Sequence, residues 1–90
     1  MACVEFRVRK WREDGTGRSN EHTIQVMQNN MNFVTEIRVL GSSDQRAYEV
    51  CHVSMMTYNR VKVMLYPVPT ETWVLQFENI FKLYQFLQLH

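Results

Sequence analysis

Ninety residues with a formal net charge of +1, 46% apolar and 12% aromatic, suffice for one domain with a packed core and are too apolar for a disordered chain. That near-neutral balance excludes an expectation of binding driven mainly by long-range attraction to nucleic acid or a membrane surface. Two cysteines, Cys3 and Cys51, are too few for a disulfide framework; they read as reduced thiols, with a single bridge as the alternative.

In chain order, a period of two places Val4, Phe6 and Val8 on one face and Glu5, Arg7 and Arg9 on the other, which predicts a half-buried first strand. Residues 14–20, Asp-Gly-Thr-Gly-Arg-Ser-Asn, are turn formers and predict a polar loop. A second strand is expected over 22–28 with Ile24 and Val26 inward. Asn29-Asn30-Met31-Asn32 carries hairpin chemistry, since asparagine tolerates the left-handed backbone of a tight turn. A third strand over 33–40 gathers Phe33, Ile37 and Val39, and Gly41-Ser42-Ser43-Asp44 closes it.

Residues 48–56 are apolar on both faces, which fits a central strand or two short strands meeting at a bend. Val61, Val63 and Leu65 alternate in a further strand, and Pro67-Val68-Pro69 breaks its ladder because proline has no N–H to donate. Trp73, Leu75 and Phe77 share one face of the last strand. From Phe77 the spacing turns helical, and Phe77, Ile80, Phe81, Tyr84 and Leu87 are expected to form the buried stripe, with Lys82, Gln85 and Gln88 opposite. Leu83 and Leu89 fall off that stripe, so the helix is either deeply buried or in contact with a second chain. The expected fold is mainly β with one α, a single domain over 1–90. It is a small antiparallel barrel or sandwich of six or seven strands, capped by the C-terminal helix.

The strand Trp73, Leu75, Phe77 followed by a helix bearing Phe86 resembles the C-terminus of the pleckstrin-homology superfold, especially its EVH1 branch. The resemblance is specific over residues 72–90 and topological elsewhere. It implies two nearly orthogonal sheets forming a partly open barrel, with the C-terminal helix plugging one end and these four residues spent on the core. EVH1 grooves hold proline-rich peptides on exposed aromatics of the early strands, and Trp11 is the one matching candidate. Lipid-binding pleckstrin domains carry basic residues at the end of the first strand and on the second. Lys10 and Arg12 match the first position; the second strand, His22-Thr23-Ile24-Gln25-Val26-Met27-Gln28, has no basic pair, which disfavours phosphoinositide binding.

Catalytic chemistry finds no constellation. Cys51 and His52 are adjacent, but neighbouring strand residues point to opposite faces, so thiol and imidazole are poorly placed to hydrogen-bond. His22, His52 and His90 lack metal-ligand spacing, and Gly15-Thr16-Gly17 lacks the lysine, the hydroxyl and the helix of a phosphate-binding loop. No enzyme activity, cofactor or metal is expected.

Arg7, Arg9 and Trp11 share the face opposite Val4, Phe6 and Val8, a composition enriched where partners bind. The expected function is therefore protein–protein interaction: an adaptor or assembly domain holding a partner peptide or subunit, by strand addition at a sheet edge or through the surface around Trp11. The alternative is a nucleic-acid or acidic-lipid site on Lys10, Arg12 and Arg18, disfavoured by the low net charge. Self-association through the helix or a strand edge is a further expectation. The start of the chain has no apolar run of signal-peptide length, so an intracellular, cytoplasmic or nuclear location is expected.

Overall fold

The structure, a computed structural model, describes residues 3–12, 16–18, 20–28, 34–41, 46–66 and 71–89. Among them are six strands, β1 (Cys3–Arg12), β2 (Glu21–Gln28), β3 (Val34–Val39), β4 (Ala47–Met55), β5 (Arg60–Tyr66) and β6 (Glu71–Phe77), and one helix, α1 (Ile80–Leu89). The expected turn at Asn29-Asn30-Met31-Asn32, the break at Pro67-Val68-Pro69, Phe33 and part of the 14–20 loop lie outside the described residues.

Each strand runs antiparallel to the next, and β1 pairs with β6 to close a barrel. The alternation of apolar residues sets the register. Phe6 lies across from Ile24, Val8 from Phe77, Val61 from Leu75 and Val63 from Trp73, so each ladder turns its apolar partners inward together. The core also takes in Val26, Ile37, Tyr48 and Leu65. In β4 the register shifts between Val50 and His52, a bulge that accounts for a strand apolar on both faces. Tyr48 and Val50 pack inward before it and Val53 after it, so one continuous strand changes the parity of its buried side.

The two ends of the barrel are closed by different aromatic groups. Phe77 ends β6 and stacks edge-on with Phe6 at 5.6 Å between ring centroids, and Phe86 of α1 lies 5.9 Å from Phe6 and 5.2 Å from Phe77. At the other end of β6, Trp73 meets Tyr48 at 4.7 Å and gives its indole N–H to Glu71 Oε2 at 3.0 Å. Arg46 donates to the Tyr48 hydroxyl and reaches Glu71 at 3.6 Å, so the apolar end is rimmed with satisfied polar groups.

The helix begins where Asn79 caps it: the Asn79 side chain accepts the Lys82 N–H at 3.0 Å, and its carbonyl accepts from Leu83. This cap resets the helical phase after the strand and corrects the expected stripe. Leu83 and Phe86 are fully buried, with Ile80, Leu87 and Leu89 packed partly against the core, whereas Phe81 is 74% exposed and Tyr84 is exposed as well. A small β-barrel with a helix seated on one end is compatible in general shape with a pleckstrin-homology-like fold. Among the described residues no helix is long and apolar enough to cross a membrane.

Candidate functional site

Because Phe6 and Val8 point into the barrel, Arg7, Arg9 and Trp11 point out of it, as the alternation requires. On the neighbouring strand the inward Trp73, Leu75 and Phe77 leave Val74 and Gln76 facing out, and on β5 the inward Val61 and Val63 leave Arg60 and Lys62 facing out. The ladders bring these into two rows: Arg9, Gln76 and Arg60 in one, Trp11, Val74 and Lys62 in the other.

Trp11 is half-buried and fixed at several points. Its indole N–H donates to Gln76 Oε1 at 3.0 Å, the Arg60 guanidinium lies over its ring 4.2 Å from the centroid, and that of Arg18 lies at 5.8 Å. Val74, its neighbour across the ladder, is only 2% exposed although it faces outward and does not belong to the core cluster. An outward valine is kept from water only by the side chains beside it, and Trp11 is the largest of them. The indole thus both covers the sheet and offers its remaining surface to solvent.

β5 is held in position for this by its preceding turn. Asn59 gives its side-chain amide to the Phe77 carbonyl at 3.0 Å, and its own carbonyl accepts the Phe77 N–H at 2.9 Å. The reciprocal pair pins Arg60 beside the end of β6. The surface continues into a depression of about 310 Å³ lined by Arg7, Arg9, Glu21, Asn59, Gln76, Phe77 and Glu78. Arg7 forms an ion pair with Glu21 at its rim.

Arg7, Arg9 and Trp11 are therefore brought onto one face, joined by Arg60 and Gln76, which the sequence did not point to. Lys10 and Arg12 share one face of β1 at the Trp73 end of the barrel, while Arg18 lies by Trp11. The Lys10 ammonium lies over Trp73, 4.3 Å from the ring centroid. The Arg12 backbone N–H bonds Thr16 at 2.9 Å, and its side chain runs alongside Gly17, while Arg18 joins the Trp11 group. His52 is exposed, the Cys51 side chain lies outside the described residues, and Cys3 is an exposed free thiol. Among the described residues no three His, Cys, Asp or Glu side chains come together. Compared with protein-family models, curated proteins and solved structures, the chain matches none of them.

Proposed function

We propose that this chain is a non-enzymatic protein-interaction domain of pleckstrin-homology-like type, working inside the cell as an adaptor or assembly subunit. In this reading it holds a partner segment on the outer face around Trp11. The observation that carries it is the anchoring of Trp11 by Gln76, Arg60 and Arg18. A tryptophan already fixed in place loses little side-chain freedom on binding, and tryptophan and arginine together are the residues most often found to dominate binding energy.

Strand addition has less support. Closure leaves every strand paired on both sides over part of its length; among the described residues, Cys3 to Arg7 of β1 pair only with β2, and β4 beyond Glu49 pairs only with β5. A bulge interrupts the β4 stretch, a device that discourages edge pairing. A lipid or nucleic-acid site on Lys10, Arg12 and Arg18 has less support still, since Lys10 and Arg12 lie by Trp73 whereas Arg18 lies by Trp11.

The test is affinity capture from native cells with the wild-type chain and a Trp11→Ala variant, read by mass spectrometry, with circular dichroism confirming that both are folded. Specific partners should be lost from the variant. An identical partner set for both proteins would sink the reading.

A further inference from the structure

We propose that the segment bound around Trp11 is acidic, with its carboxylates received by the guanidinium groups of Arg60, Arg18 and Arg9. This deepens the interaction reading above and rests on it. The argument starts from how an arginine stacks. A guanidinium lying over an aromatic ring uses its flat face and keeps its N–H donors in its own plane, directed past the ring edge. The Arg60 guanidinium carbon lies over the Trp11 ring, 4.2 Å from its centroid, a separation that suits such stacking, and that of Arg18 lies at 5.8 Å. The donors so presented match a carboxylate in bidentate geometry.

Among the described residues no ion pair engages Arg9, Arg18 or Arg60, whereas Arg7 on the same face is paired with Glu21. With a net charge of only +1 for the whole chain, the guanidiniums of Arg60 and Arg18 at one indole, with Arg9 two residues along on the same face of β1, make a local positive field unlike the chain's overall balance. A protein segment fits better than a nucleic acid. Glu21 and Glu78 line the adjoining depression and break the positive surface that a continuous phosphate backbone would have to follow, whereas a segment with a few spaced carboxylates needs to reach only the Trp11 side of it.

The experiment uses fluorescence anisotropy of the full chain with three labelled probes: a short peptide alternating glutamate with leucine, its glutamine counterpart, and a single-stranded oligonucleotide. The glutamate peptide should bind about tenfold or more tightly than the glutamine one, and the difference should shrink as salt is raised. Arg60→Lys keeps the charge but not the planar fork, and should weaken the glutamate peptide by a similar factor. Equal binding of the two peptides, tighter binding of the oligonucleotide, or an Arg60→Lys variant indistinguishable from wild type would each overturn the proposal. The peptide comparison on the wild-type chain stands even if the variant misfolds. If the peptides fail while Trp11-dependent partners are still captured from cells, the acidic occupant falls and the interaction surface stands.

Discussion

Replacing Phe86 by alanine tests how the helix is joined to the barrel. Phe86 is 0% exposed, and its ring touches those of Phe6 and Phe77, the two residues that close that end of the barrel. A buried aromatic removes ~150–250 Å² from water. At ~25 cal/mol per Å² that is roughly 4–6 kcal/mol, of which alanine retains a part. Measured Phe→Ala substitutions in cores cost about 3–5 kcal/mol. Two edge and tilted ring pairs, each worth about 0.5–1.5 kcal/mol beyond area, place this site in the upper half of that range. Against a total stability of about 5–15 kcal/mol, that is a loss of roughly a third or more, and at the lower end of the range it brings the variant to the edge of unfolding.

Urea melts followed by far-ultraviolet circular dichroism and by tryptophan fluorescence, in a Trp11→Phe background so that Trp73 alone reports, watch the whole backbone and the far end of the barrel. The two transitions should coincide and shift together to lower urea. A shift worth less than about 1 kcal/mol would refute the packing argument, because only a peripheral ring is lost so cheaply. Phe81→Ala, one turn away on the exposed side of the same helix, should change stability by no more than about 0.5 kcal/mol.

Two further substitutions discriminate local mechanisms. Gly17 has φ +68°, and a Cβ there would lie 3.0 Å from Arg12 Nε and 3.1 Å from Arg12 Cδ; Gly41 has φ +73° with open space around it. Alanine should cost about 1–2 kcal/mol of left-handed strain at both, read by thermal melts, with an additional penalty at Gly17 only if the Arg12 side chain cannot move aside. An equal cost at the two sites would show that it can. Glu71→Leu removes the acceptor of the Trp73 indole N–H and should cost about 1–3 kcal/mol, since that donor belongs to a residue with little exposure. An unchanged urea midpoint would mean that water satisfies the indole there.

What could be read from the chain depended on how local the signal was. Strand faces depend on residues two apart, and Phe6, Val8, Ile24, Val26, Ile37, Val61, Val63, Leu65, Trp73, Leu75 and Phe77 are all inward as alternation requires. The helix phase was harder to read, because α1 carries two apolar stripes. Ile80, Leu83 and Leu87 compete with Phe81 and Tyr84, and the choice falls to the Asn79 cap and to what lies beneath the helix. The bulge in β4 appeared in the sequence only as an ambiguity between a central and a bent strand, since an extra residue leaves no fixed signature. Around Trp11, the strand period placed Arg7 and Arg9 beside it. Gln76 and Arg60 come from distant parts of the chain and meet it only through the ladders that β6 makes with β1 and β5.

The closing ladder between β1 and β6 carries a consequence for the order of events in folding. Trp11 and Gln76 are 65 residues apart, so their hydrogen bond waits on a contact of very long sequence separation, the kind that slows folding because loop closure must precede any reward. A chain that has made only its first hairpin possesses Trp11 and Arg18 but not Gln76 or Arg60 beside them. The surface around Trp11 is therefore complete only once β1 and β6 have paired. Any ligand specific for it binds the finished molecule alone, and raises its apparent stability in proportion to the logarithm of ligand concentration. Recognition at this face is thus also a check that the ring of strands is complete.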